Sequence, residues 1–240
     1  MRKLNIRWIG KLPYSEAYDL QLGLHNAVSS NYEDDDYLLL LEHDNVITSG
    51  RSSKENNILV SKETLNQMNI DFFETDRGGD VTFHGEGQLI GYPIIRLQDP
   101  KKVVPFVRSI ENILIQSLND LSIDSFTKED DTGVWTSKGK IASIGIKVSK
   151  WTTYHGFSLN IFDKLEGFDL INPCGNDGEI ITSFQIFNDK IHNYVLFAII
   201  VHFNIQKLKN KHTFIQTEKA KSSHFDRTRG DKKQIFPTII

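Results

Sequence analysis

A thiol held between proline and glycine is the first feature of this sequence that could do chemistry. Cys174, the single cysteine of the chain, stands in Asn172-Pro173-Cys174-Gly175. A tight turn of this kind can aim a side chain at a pocket and suits a core poorly. A lone cysteine is nevertheless more often a small buried apolar group, so the turn leaves both readings open. A thiol with an ordinary pKa of about 8.5 is mostly protonated at neutral pH, and its use as a nucleophile calls for a cation nearby. Lys140 offers one, at the start of the strand-like run Gly139-Lys140-Ile141-Ala142-Ser143-Ile144-Gly145. A lysine leading into apolar surroundings can be partly desolvated, although a solvated lysine at a strand end is the commoner case.

A third segment is rich in both glycine and polar side chains: Arg77-Gly78-Gly79-Asp80-Val81-Thr82-Phe83-His84-Gly85-Glu86-Gly87-Gln88. Its glycines permit close approach of a ligand to the backbone, while Arg77, Thr82, His84 and Gln88 supply donors and a titratable ring. It matches neither the Walker phosphate loop nor the dinucleotide fingerprint, and a solvated hairpin is the competing reading.

The elements that must position these groups follow from periodicity. Apolar residues at three-to-four spacing predict helices over 15–30, with Ser15 as cap, over 103–121 and over 188–203. Short apolar runs bounded by turn residues predict strands over 37–41, 46–49, 70–74, 81–83, 89–97, 133–136, 140–148 and 152–161. Strands grouped between helices, without strict alternation, predict an α+β fold with a mixed sheet in a single domain over 1–205. The lysine-rich polar stretch 206–240 reads as a loosely packed tail.

Bulk properties narrow the function classes. A net charge of −3 and a pI near 6.2 provide no overall basic field for nucleic acid. The start of the chain lacks a signal-type apolar stretch, and the most apolar run, 194–203, is too short to span a bilayer, so a cytoplasmic protein without a membrane partner is expected. One cysteine excludes an internal disulfide, and no Cys/His cluster has the spacing of a structural zinc site.

Taken together, the segments resemble the lipoyl(octanoyl) transferase family of lipoate synthesis. Residues 77–88 are similar to its R-G-G-x-x-T-x-H-x-P-G-Q signature, 139–145 to its G-K-I-A-x-I-G segment, 155–160 to H-G-F-x-L-N, and 173–175 to its P-C-G turn. They occur in the family's order, and Thr182-Ser183 fits as well; Glu86 stands where the family has proline.

The resemblance implies a biotin/lipoyl protein ligase-like fold and an acyltransferase that needs no cofactor. It makes Cys174 the nucleophile and Lys140 the residue that lowers its pKa and moves protons. It also implies a substrate pocket of Arg77, Gly78, Gly79, Asp80, Val81, Thr82, Phe83 and His84, with Ser143, Ile144, Gly145, Gly156, Phe157 and Ser158. The implied donor is octanoyl-acyl carrier protein. The implied acceptors are lipoyl domains of 2-oxo acid dehydrogenases and the glycine cleavage H protein. At about 0.8 kcal/mol per buried methylene, an eight-carbon chain contributes roughly 5 kcal/mol to binding. Two rivals are an ATP-dependent lipoate or biotin ligase and a catalytically silent acyl-binding relative; the sequence has neither the biotin ligase G-R-G-R-x-G-R stretch nor the run of three glycines of lipoate ligases.

Overall fold

The computed structural model describes residues 2–99, 102–162, 164–173, 178 and 180–187. Among these residues nine strands form two sheets: β1 (Leu4–Lys11), β2 (Asp36–Glu42), β3 (Val46–Ser49), β4 (Asp71–Glu74), β5 (Thr82–His84), β6 (Gln88–Ile94), β7 (Gly133–Thr136), β8 (Gly139–Ser149) and β9 (Thr152–Asn160). Three helices join them: α1 (Tyr14–Ser29), α2 (Lys62–Gln67) and α3 (Val103–Asn119). The larger sheet has the order β1-β2-β6-β9-β8-β7 and the smaller β4-β3-β5. Parallel pairing at β1–β2 and β3–β4 beside otherwise antiparallel neighbours makes both sheets mixed, in agreement with the predicted α+β fold with a mixed sheet.

The leucine run of β2 is buried because helices cover both faces of the large sheet. Leu38 and Leu40 join the core beneath α3 with Ile110, Ile113 and Leu114. Tyr37, Leu39 and Leu41 point to the opposite face and pack with Ala17 and Val28 of α1. Successive side chains of a strand alternate in direction, so an unbroken apolar run is what a doubly covered strand needs. The small sheet has a separate core of Ile47, Leu65, Val81, Phe83 and Phe168.

Two departures from sequence expectation have clear causes. Strand β1 is not predicted by the sequence pattern: among the described residues it is an edge strand beside β2, and its alternating polar residues leave most positions half-buried. Helix α1 begins at Tyr14 behind Pro13, so Ser15 lies within the first turn and does not cap it. A proline before the first turn sets φ without needing a side-chain cap. The predicted helix over 188–203 and the tail over 206–240 lie outside the described residues.

Residues 85–88 connect β5 to β6. Gln88 N–H donates to Gly85 C=O at 3.2 Å, and Gly87 has φ +90° while Glu86 does not adopt positive φ. This is a type II turn with Glu86 at its second position, the place proline favours. Glu86 is exposed and pairs with Lys164 at 3.0 Å, a surface contact of small energetic weight. The proline of the family signature is thus replaced without distorting the turn. Glu86→Pro should raise unfolding stability by about 0.5 kcal/mol through loss of unfolded-state entropy, measured by urea denaturation; a destabilised variant would contradict this turn assignment.

Candidate active site

Between the two sheets lies a cavity of about 290 Å³, near the lower end of the size range of small-ligand sites. Strands β8 and β9 form one wall, with Ser143 opposite Ser158 and Gly145 opposite Gly156. Ile144 and Phe157, between them in each strand, also contribute to the wall, while both belong to the core beneath α3. At Gly145 a side chain is excluded: a Cβ there would lie 2.7 Å from Gly78 C=O. That close approach brings the glycine-rich segment directly against β8.

Arg77 is held by the smaller sheet. Its Nε donates to Thr48 Oγ1 at 3.2 Å, Nη2 to Thr48 C=O at 2.6 Å and to Thr48 Oγ1 at 3.0 Å, and Nη1 to Gly78 C=O at 3.1 Å. Asp80 accepts from Val81 N–H at 2.7 Å and from Asn57 Nδ2 at 2.7 Å, bracing the same loop. Gly79, Asp80, Val81, Thr82 and His84 line the cavity along with Arg77. Gly78 and Phe83 do not. Gly78 bonds its N–H to Ile146 C=O at 3.1 Å, and Phe83 packs edge-on against Phe168 in the small-sheet core. Alternation along β5 explains the latter, since Thr82 and His84 face one side and Phe83 the other.

Lys140 lines the same cavity with only 1% of its surface exposed. Its Nζ lies 3.2 Å from Asp131 Oδ1 and 4.7 Å from the centre of the Trp135 ring. A buried ammonium requires such compensation, because its bare desolvation costs several kcal/mol. The backbone of Lys140 is pinned too: its N–H donates to Ile180 C=O at 2.8 Å and its C=O accepts from Thr182 N–H at 2.9 Å. On the other side of the predicted turn, Asn172 N–H donates to Asn57 C=O at 2.8 Å, and Pro173 is buried in the cavity wall. Cys174 itself lies outside the described residues, as does Gly175; it is bonded to Pro173.

Sequence reasoning missed several lining residues: Tyr14, Thr48, Ser52, Tyr92, Asp130, Asp131, Thr132 and His155 among them. His155 begins the H-G-F motif, which was available as a signal, whereas Tyr14 and Tyr92 come from α1 and β6 with no local mark of function. The Tyr14 hydroxyl is buried without a hydrogen-bond partner among the described residues. His43 joins Tyr92 to the loop before α1, with Nε2 2.7 Å from Tyr92 Oη and Nδ1 2.7 Å from Leu12 C=O. His155, which has φ +55°, places Nε2 2.9 Å from Asp76 Oδ1 and takes Gln21 Oε1 at its backbone N–H at 2.8 Å. Asp76 also accepts from Tyr154.

These histidines share one electrostatic condition. Burial lowers the pKa of His84 to about 3 and those of His43 and His155 to about 4. Burial alone would raise the Asp76 carboxyl, yet hydrogen bonds from Tyr154 and His155 hold it below its ordinary value.

The lipoyl protein ligase A/B catalytic domain matches residues 13–209 of the chain. An octanoyltransferase of Koribacter versatilis is 46% identical over 183 residues, 74% of this chain and 72% of its own. An octanoyltransferase of Clostridium kluyveri is 39% identical over 230 residues, 94% of either chain. Among solved structures, the bipartite lipoate protein ligase of Thermoplasma acidophilum superposes with a TM-score of 0.68 over 91% of this chain and 86% of its own, at 13% identity, a likeness of fold.

All three histidines with lowered pKa are neutral in the folded protein at pH 6 and become protonated in the unfolded chain below about 6.5. The unfolded state therefore binds more protons, and stability should fall as pH drops from about 6.5 towards 4. Loss of the Asp76 contribution begins lower, around the ordinary carboxylate range. The pH dependence of the unfolding free energy should show up to three protons taken up in this window, and about one fewer in His43→Asn; a flat profile between pH 6.5 and 4.5 would refute neutral burial.

Proposed function

This chain belongs to the lipoyl protein ligase A/B catalytic-domain family and is an octanoyltransferase of lipoate synthesis, and we propose that it works through a thioester on Cys174. The observation that supports this most strongly is the buried Lys140 ammonium in a cavity whose wall includes Pro173, the residue bonded to Cys174.

In the proposed reaction the Cys174 thiolate attacks the carbonyl carbon of the octanoyl thioester on acyl carrier protein. The carbonyl π electrons move to oxygen, the carbon–sulfur bond to the carrier then breaks, and the departing thiolate takes a proton from Lys140. The ε-amine of a lysine on a lipoyl domain next attacks the octanoyl-Cys174 carbonyl. Its carbon–sulfur bond breaks, Cys174 leaves as thiolate, and the proton lost by the new amide nitrogen returns to Lys140. Exchange of a thioester for an amide is downhill, so no nucleotide is consumed. Lipoyl domains of 2-oxo acid dehydrogenases and the glycine cleavage H protein are the acceptors in this reading, and the cytoplasm is its setting. No helix among the described residues is long and apolar enough to cross a membrane.

The polar surroundings of Lys140 suit the role. Asp131 and Trp135 hold the ammonium in place without removing its positive charge, so a lysine that is itself 1% exposed can stabilise a neighbouring thiolate. Arg77, Gly79, Asp80, Val81, Thr82, His84, Ser143, Ile144, Gly145, Gly156, Phe157 and Ser158 then surround the acyl group and its thioester, while Gly78 and Phe83 support the wall from behind.

Mixing the protein with octanoyl-acyl carrier protein should add one octanoyl group to its intact mass, and Cys174→Ser should abolish the gain. No gain in the parent protein, or an equal gain in the serine variant, would sink the covalent mechanism; lipoyl-domain modification only with free octanoate and ATP would favour a ligase.

Lys140→Met should slow acylation of Cys174 by about a hundredfold at neutral pH, with partial recovery at alkaline pH as the thiol ionises unaided. Stopped-flow or quenched mass measurements on folded variant would test this, and an unchanged rate at pH 7 would remove Lys140 from the chemistry.

A further inference from the structure

Two buried carbonyls determine the orientation of three side chains beside the cavity. Phe83 C=O lies 3.2 Å from Gln88 Nε2, and Thr182 C=O lies 3.0 Å from Asn160 Nδ2. A carbonyl only accepts, so each must face an amide nitrogen. Asn160 Oδ1 is then directed at Gln88 Nε2, 2.8 Å away, which leaves Gln88 Oε1 against His84 Nδ1 at 2.6 Å. An amide oxygen also only accepts, so the proton of the neutral His84 ring is on Nδ1 and its Nε2 carries the lone pair.

That lone pair faces Thr48 Oγ1 at 3.5 Å, the longest step, and Thr48 Oγ1 itself accepts from Arg77. Every donor therefore points the same way, from Arg77 through Thr48, His84, Gln88 and Asn160 to Thr182. Separate peptide groups tie the same segment to β8, since Thr182 N–H donates to Lys140 C=O and Lys140 N–H to Ile180 C=O. Asn160 C=O takes Phe184 N–H at 2.9 Å, so residue 160 grips the segment on both sides of Ser183. Hydrogen bonds aligned head to tail in a low-dielectric interior reinforce one another, and one reversed amide would set two acceptors or two donors face to face.

We propose that Asn160 is a positioning residue for acyl transfer: through Gln88 it holds His84 as the Nδ1–H tautomer, and through Thr182 it keeps the segment following the Cys174 turn in register with Lys140. The proposal rests on the octanoyl-transfer reading. His84 serves here as a hydrogen-bond acceptor at the cavity wall, and Asn160 lies outside the cavity lining and acts through its neighbours. Pairing of Gln88 with Asn160 across β6 and β9 makes the relay a product of sheet register.

The test combines ring nitrogen-15 spectroscopy of the histidine-labelled full chain with acylation kinetics. His84 should show the Nδ1–H pattern in the parent protein and a mixture of tautomers in Asn160→Leu. Octanoylation of Cys174 by octanoyl-acyl carrier protein should slow at least tenfold in Asn160→Leu, with KM for the donor changing less than threefold. Adding Gln88→Met should slow it less than twofold further, because the same chain is already broken. An Nε2–H His84 in an acylated parent enzyme, a folded Asn160→Leu of undiminished rate, or losses that multiply would overturn the relay. The parent-protein tautomer decides the matter even where a variant fails to fold, whereas a parent protein that accepts no octanoyl group overturns the transfer reading instead.

Discussion

A positive charge in a nearly dry place is the constraint on which this architecture turns. Lys140 lies at the buried start of β8, and Asp131 and the face of Trp135 help to replace the water its ammonium has lost. Those partners come from β7 and the segment before it, so β7 must add to the edge of the large sheet for the charge to be tolerated. The cost of burying the ammonium has a functional return, because an electrostatic interaction made inside the protein is screened far less than one on its surface. A thiol brought near it gains more than it would from any exposed lysine.

The two sheets divide the remaining work. The large sheet supplies a rigid wall with small residues, Ser143, Gly145, Gly156 and Ser158, where an acyl chain can lie close to the backbone. The small sheet supplies the polar loop that closes over it, with Arg77 locked to Thr48 through three hydrogen bonds from two guanidinium nitrogens. Close contact at Gly145 and the bond from Gly78 N–H to Ile146 C=O fasten loop to wall, and the paired amides of Gln88 and Asn160 secure the end of β6 beside β9. Buried polar networks of this kind are costly if half-satisfied and rigid when complete. Here the groups from His84 to Thr182 are complementary in donor and acceptor throughout.

Neutral histidine is a recurrent part of the interior. His43, His84 and His155 each bring a ring that can both donate and accept, a capacity no carboxylate or lysine side chain offers at neutral pH. Burial keeps them uncharged. They join α1, β6, the glycine-rich loop and β9 into one polar layer that includes part of the cavity wall, at the expense of stability in acid.

Local pattern in the sequence was sufficient for most elements and for the grouping of the signature segments. Residues 37–41 read as a strand because the chain buries both faces of it, and 140–148 with 152–161 read as strands despite their glycines. The edge strand β1 escaped notice because an edge needs only one covered face and tolerates polar residues at alternate positions. Residue types and order also marked Cys174, Lys140 and the glycine-rich segment, since a thiol, an amine and a flexible backbone have chemical meaning wherever they fall. Which of those side chains would meet was a different matter. Strand alternation turned Phe83 into the core and His84 into the cavity, and sheet register set Gln88 beside Asn160, 72 residues away in the chain. Only the tertiary structure could decide that Tyr14, Asp131 and Tyr92 join them, because long-range pairing and burial determine the surroundings of a side chain, and no short stretch of sequence contains either.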